Sequence, residues 1–353
     1  MQTISKFSVG LKTVPAVTTW YLADIAEAKG KHDMYTHQSP QKLKTLREHA
    51  LIESAVSSNR IEGVEIDRKR VETVIFGRPL LKDRNEEEIQ GYRDALQWIH
   101  DGNKTIHFDE TTIKKLHKMS RGTIWDSGKY KEKDGDIIER LPNGDTRVRF
   151  KTVSAENTHQ YMKELVSLYG ELTKIKVIHP IIAIAASNLD FLCIHPFRDG
   201  NGRVSRLLFL LQLYHAGYEI GRYISLERLI EEHQERYYET LEISSHRWHE
   251  GRHNPWVYVN FLLYIFKQAY SEFIERVKKI ESPKGAKTEI VIEQIQKMND
   301  EFTLSQLQSK CAGESRDMVR KVLKDLQKLE KVVSKGRGPG ARWQKKGNNF
   351  LKR

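Results

Sequence analysis

The chain has 353 residues, 39% of them hydrophobic, with a net charge of +12 and two cysteines. That length suits two or three domains with buried cores, and so few cysteines exclude a disulfide framework, so a reducing, cytoplasmic setting is expected. No apolar run is long enough to cross a membrane, and residues 1–6 lack the apolar core of a signal peptide, so no membrane partner is expected.

Taken in chain order, helical apolar spacing predicts helices over Lys42–Asn59, Asn85–Gly102 and Asp109–Ser120. At the end of the first, Ser58 and Glu62 stand four apart on one face, and Gly63 can terminate the helix. Residues 130–150 break the pattern. Two strand-like runs there, Asp136–Leu141 and Thr146–Phe150, flank Pro142-Asn143-Gly144-Asp145, and Asn-Gly between such runs predicts a hairpin. Lys131, Lys133, Arg140, Arg147 and Arg149 make this segment basic. Helical spacing resumes over Ser154–Lys174, and His179-Pro180 reads as the start of an apolar helix running to Ile194. Cys193 near its end reads as a packed core residue.

The twelve residues that follow, His195-Pro196-Phe197-Arg198-Asp199-Gly200-Asn201-Gly202-Arg203-Val204-Ser205-Arg206, lie between two apolar helical runs. Gly200 and Gly202 let main-chain N–H groups approach an anion, and the next helix directs its unpaired N–H groups at the same place. Asp199 suits Mg²⁺, a hard cation that takes one or two carboxylates alongside phosphate oxygens. Arg203 and Arg206, three apart on the first turn, can clamp phosphates, and His195 can accept a proton near neutral pH. A solvated Gly-Asn-Gly turn would account for any one of these residues; the set together points to phosphate chemistry.

Beyond the motif, Leu226–Ser244 and Trp256–Ile280 carry helical spacing, and Tyr237 and Tyr238 are candidates for lining a nucleotide pocket, with core packing as the alternative. Ser282-Pro283-Lys284-Gly285 reads as a linker. From Lys284 to Arg353 there are 17 Lys and Arg against 8 Asp and Glu, so most of the chain's net charge sits there. Three short helices are expected: Glu289–Met298, one begun by Thr303 with Gln306 as a capping box, and one capped by Ser315. Val332-Val333, a turn at Gly336-Arg337-Gly338-Pro339-Gly340 and Ala341-Arg342-Trp343 would complete a terminal hairpin.

The twelve-residue run resembles the Fic family motif, His-Pro-Phe-x-x-Gly-Asn-Gly-Arg-x-x-Arg, with every fixed position filled. The resemblance implies an all-helical core that moves AMP from ATP to a protein Ser, Thr or Tyr hydroxyl. His195 would be the general base and Asp199 would carry Mg²⁺. Gly200, Asn201 and Gly202 would form the anion hole, and Arg203 and Arg206 would hold the distal phosphates. Phe197 and Arg198 fall within the same nucleotide-binding loop. Related Doc-type phosphotransferases carry lysine where this chain has Gly202, and glycine there favours AMP transfer.

Ser58-Asn59-Arg60-Ile61-Glu62-Gly63 resembles the family's inhibitory motif, in which the glutamate, here Glu62, pairs with the second motif arginine, here Arg206, and blocks the γ-phosphate position. A capped helix end with a solvated glutamate is the alternative. In some relatives this glutamate also activates a water that removes AMP, so a reverse activity is a further expectation. The 130–150 hairpin matches the flap that holds the target protein as an added strand. The C-terminal pattern resembles a winged helix-turn-helix, which binds DNA or docks proteins. For DNA, Arg316, Arg320, Arg337 and Arg342 would be the contacts.

The expected architecture is thus mainly α. Residues 1–105 form an N-terminal helical region carrying the inhibitory motif. Residues 106–281 form a Fic core with a β-hairpin flap, and 284–353 form a winged helix. The expected function is a self-inhibited protein adenylyltransferase. The alternative is a DNA-binding regulator whose core senses nucleotide or modifies only itself. Whether Glu62 acts within one chain or across a homodimer is left open by the sequence.

Overall fold

The computed structural model describes residues 2–346, apart from 10, 12, 39, 68–69, 77–80, 123, 141–143, 176, 280–285, 299, 312–313 and 337–340. The expected linker at 282–285 and Arg337 lie outside the described residues. Helices α1 (Thr3–Ser8), α2 (Ala16–Gln38), α3 (Pro40–Ile61), α4 (Val71–Phe76), α5 (Arg84–Gly102) and α6 (Glu110–Arg121) come first. The hairpin β1 (Ile137–Arg140) and β2 (Thr146–Phe150) follows, then α7 (Ala155–Ile175), α8 (Pro180–Ile194) and α9 (Asn201–His215). Next come α10 (Leu226–Glu232), α11 (Gln234–Ser245) and α12 (Trp256–Lys279). The chain is mainly α, as its apolar periodicity predicts.

Helix α8 is the spine. Its sequence is apolar on every side, which requires burial all round, and all its residues from Ile181 to Ile194 except Leu192 are buried. His179 caps it, its ring accepting from the Ile181 N–H, with Pro180 at the first turn. Helices α7, α9, α11 and α12 pack around α8, and Phe191, Ile194, Val204, Leu207 and Phe266 are buried in the shared core. Asp190, buried in α8, holds α1 in place. It accepts from Thr3 N (3.0 Å), Ile4 N (2.9 Å) and the indole Nε1 of Trp248 (2.6 Å).

The elements depart from the sequence expectation in two ways. The helix expected over Leu226–Ser244 is broken at His233, whose backbone (φ −118°, ψ 32°) leaves the helical region between α10 and α11. Helices α1, α2 and α4 were not expected. α1 and α4 are six residues each, too short to show a period, and α2 leaves Val17 and Trp20 exposed.

Beyond residue 285 a second, smaller core forms. It joins α13 (Ala286–Lys297), β3 (Glu301–Thr303), α14 (Leu304–Lys310), α15 (Arg316–Lys328), β4 (Val332–Lys335) and β5 (Arg342–Lys345). The strands form an antiparallel sheet in the order β3-β5-β4. Thr303 and Gln306 make the reciprocal capping box, and Ser315 caps α15 by accepting from Met318 N. Val319, Val322, Leu323 and Leu326 are the buried stripe of α15. Arg276 of α12 lies 4.0 Å from Glu293 of α13.

Candidate active site

The motif loop is held by its own side chains. His195 closes α8 in the left-handed region (φ 53°, ψ 60°), a conformation uncommon outside glycine, and its N–H reaches Phe191 O at 3.0 Å. Gly200 opens α9 at φ +81°, where a β-carbon would lie 2.8 Å from Arg121 Cδ. The Asn201 amide grips Phe197 at both ends, its Oδ1 accepting from Phe197 N (2.9 Å) and its Nδ2 donating to Phe197 O (2.8 Å). Helix α6 braces the loop from outside. His117 stacks on Phe197 with ring centroids 3.8 Å apart, its Nδ1 accepts from Gly128 N, and its Nε2 lies 3.0 Å from the Asp199 carbonyl. Nδ1 therefore carries no proton, and Nε2–H donates to that carbonyl.

His195 lines a cavity of about 200 Å³ that it shares with Glu62, Gly202, Tyr237, Tyr238 and Leu241, under β1 and β2. It also lines a second cleft of about 450 Å³, formed with Trp125, Tyr130, Lys133 and Arg198. His195 therefore borders two openings. Its Nδ1 sits 3.4 Å from Leu192 O, a contact that favours the proton on Nδ1 and leaves Nε2 as the free lone pair. Burial, with the nearby Lys131 ammonium, lowers the imidazole to about 4, so it is neutral at neutral pH.

Glu62 enters the same cavity from the end of α3. Its Oε1 accepts from Arg206 Nη2 at 2.8 Å, and Gly63, at φ +75°, turns the chain away immediately after it. Ser58 holds the same guanidinium, with its Oγ accepting from Arg206 Nε (2.9 Å) and its carbonyl from Nη2 (2.8 Å). Arg206 Nη1 is buried and has no hydrogen-bond partner among the described residues. It points towards Gly202, where an added β-carbon would lie 3.2 Å from it.

Two residues expected at the phosphates, Arg203 and Asn201, contact protein groups. Arg203 is 1% exposed, and its Nη1 donates to Glu88 (2.5 Å) and to Asn59 (3.1 Å) rather than facing the cavity. A three-residue step turns a helix through about 300°, so Arg203 and Arg206 diverge by roughly 60° and meet different partners. Asn201 is buried and both of its amide atoms are used on Phe197, so its side chain is a loop brace. Arg198 is exposed, its guanidinium 5.8 Å from the Trp125 ring.

Asp199 keeps a half-exposed carboxylate. Its Oδ2 lies 2.9 Å from Arg121 Nη1 and its Oδ1 accepts from Gly200 N at 2.6 Å. Burial would raise its pKa, but Arg121, Arg203 and the Gly200 N–H outweigh that and hold it below the usual carboxylate value.

Residues 107–213 match the profile of the Fic/DOC family. This segment is a Fic domain. It spans α6 to most of α9, with the hairpin and the motif loop, while Glu62, Tyr237 and Tyr238 join the site from outside it. Among curated relatives, the protein adenylyltransferase fic-1 of Caenorhabditis elegans is 28% identical over 138 residues, 38% of this chain and 25% of that protein. The protein adenylyltransferase Fic of Nematostella vectensis is 26% identical over 188 residues, 50% of this chain and 40% of that protein. The chain thus spans well under half the length of these relatives. Among solved structures, a Fic family protein from Desulfovibrio desulfuricans shares the fold with a TM-score of 0.63 at 21% identity, covering 95% of this chain and 98% of that one. A Fic domain containing signaling protein from Bacteroides thetaiotaomicron gives 0.62 at 21%, covering 74% and 98%.

Sequence reasoning missed the groups that support the Fic loop. Lys131 reads in the sequence as one of the basic flap residues, yet it is buried. Its N–H donates to Pro196 O, and its Nζ donates to Thr152 Oγ1 (2.7 Å) and Ile194 O (3.2 Å). Arg147 pairs with Glu242 and Arg149 with the Tyr238 carbonyl, so both tie β2 to α11. Glu88, His117 and Arg121 were not singled out. His117 and Arg121 are four apart on one helical face, but nothing in that spacing names the loop they touch.

Proposed function

We propose that the chain is a protein adenylyltransferase restrained by its own Glu62. The observation that carries this reading is one cavity holding His195, Gly202 and Glu62, with Glu62 bound to Arg206 at 2.8 Å. The target hydroxyl gives its proton to His195 Nε2 as its oxygen attacks the α-phosphorus of ATP. The bond to the β-phosphate oxygen breaks and pyrophosphate leaves, so AMP ends on the protein. Positioning and charge neutralisation dominate such a transfer. A base near 4 is weak, and the triphosphate's negative charge beside it would raise it towards neutrality.

No side chain caps α9, so its first N–H groups are available to an anion, and Arg206 would supply phosphate contacts once freed from Glu62. Tyr237 and Tyr238 would line the adenine side. Mg²⁺ fits Asp199, the half-exposed carboxylate at the loop, and a cation held there would neutralise phosphate charge. The target segment would add to the open edge of β1, whose only strand partner among the described residues is β2.

With Glu62 on Arg206, the γ-phosphate position is occupied and ATP would bind misaligned, which is enough to lose much of the rate. The same glutamate could activate a water for AMP removal. Intact-mass measurement after incubation with ATP tests the reading: an AMP adduct supports it and a phosphate adduct refutes it.

One observation favours a second role for the C-terminal unit. α15 exposes Arg316 and Arg320 on the flank of its buried stripe, and Arg342 on β5 is exposed. A winged helix reading DNA with these residues would bind duplex in a salt-dependent way, and Arg320→Ala would lower the salt slope by about one. Binding insensitive to salt would rule this out.

A further inference from the structure

The buried carboxylate of Glu88 is shared by three guanidinium groups. Its Oε1 accepts from Arg84 Nε (2.9 Å) and Arg121 Nη1 (2.7 Å), and its Oε2 from Arg203 Nη1 (2.5 Å). Two of these cations also reach Asp199, Arg121 Nη1 at 2.9 Å and Arg84 Nη2 at 3.8 Å. Glu88 and Asp199 therefore divide the same positive charge. Arg121 cannot retreat, because it is 5% exposed and its Cδ packs against Gly200. Asn59 of the inhibitory segment closes the network on the far side through Arg203.

We propose that Glu88 is a positioning residue that sets how readily Asp199 accepts a divalent cation. A guanidinium on a carboxylate oxygen competes directly with a metal ion for it. Glu88 draws Arg121 and Arg84 partly off Asp199 and anchors Arg203 away from the cavity. Without its charge, Asp199 becomes the nearest anion to Arg121 and Arg84, and its oxygens close to a cation. Without the charge of Arg121 the opposite holds. This inference rests on the reading of Asp199 as the cation's carboxylate.

The test uses the full chain with Mn²⁺ as probe and α,β-methylene-ATP, which cannot transfer AMP, read by water-proton relaxation enhancement. With Arg121 and Arg84 released onto Asp199, Glu88→Gln should lower the Mn²⁺ affinity about tenfold, the low end of what changes around a metal ligand cost. Arg121→Gln should raise it, and Arg121→Lys should stay near wild type. Both neutral variants lose buried ion pairs and should melt lower, so a purely structural role would move their affinities the same way. Shifts of the same sign, or no shift in a folded Glu88→Gln, would overturn the proposal. If Glu88→Gln does not fold, Arg121→Gln decides alone, and failure to tighten overturns it. Asp199→Ala separates the two readings: wild-type affinity in that variant would overturn the assignment of Asp199 itself, and this inference with it.

Discussion

Gly202 leaves room for the Glu62 carboxylate because position 202 has no side chain. A β-carbon there would lie 2.2 Å from Glu62 Oε1, well inside contact distance. In an isolated helix, alanine for glycine is worth up to about 1 kcal/mol. Here Gly202→Ala should lose that gain, because it pushes the carboxylate off Arg206. In a Glu62→Gly background the same change should stabilise. Thermal melts of the four proteins form a double-mutant cycle, with a coupling of about 1 kcal/mol or more expected. Additive effects would mean the two residues do not meet.

The pH profile should report the buried imidazole. His195 sits near 4, below the ordinary value, so the free enzyme keeps its base neutral as pH falls through 6. The acid limb of kcat/KM should therefore fall near pH 4 rather than 6.5, since that ratio reports groups of the free enzyme. Stability follows the same window. The unfolded chain takes up this proton at about 6.5 while the folded ring resists to about 4, so the contribution is full above the former and lost as pH falls towards the latter. Initial rates from pH 4 to 8 decide it, and an acid limb at 6.5 would refute the burial argument.

Asp190 should prove structural. It gathers the N–H groups of Thr3 and Ile4 and the Trp248 indole in a fully buried place. Asp190→Asn turns an NH₂ towards donors and should destabilise by about 3 kcal/mol in a denaturant titration. A change under 0.5 kcal/mol, within the range of ordinary surface substitutions, would contradict this.

The backbone of the site was legible because its signals are local. Gly-Asn-Gly between apolar runs marked the loop, Asn-Gly marked the hairpin, and Ser58 with Glu62 marked one face of α3. Thr303 and Gln306 announced their capping box three residues apart. The diverted residues were not legible. Arg203 turns to Glu88, 115 residues away, and Arg121 at the end of α6 meets Asp199 of the loop. Spacing tells which face a side chain occupies, and only packing decides which charge lies opposite. The His233 break escaped for a similar reason, since the apolar period continues across it while the backbone does not.

The central claim is that Glu62, through Arg206, restrains a His195-dependent transfer of AMP. It is tested most directly by counting protein-bound label from α-labelled ATP with Mg²⁺ in three proteins: wild type, Glu62→Gly and His195→Ala. The account expects weak labelling in wild type, strong labelling in Glu62→Gly and none in His195→Ala, with no label from γ-labelled ATP. Equal labelling of wild type and Glu62→Gly, or label that survives His195→Ala, would contradict it.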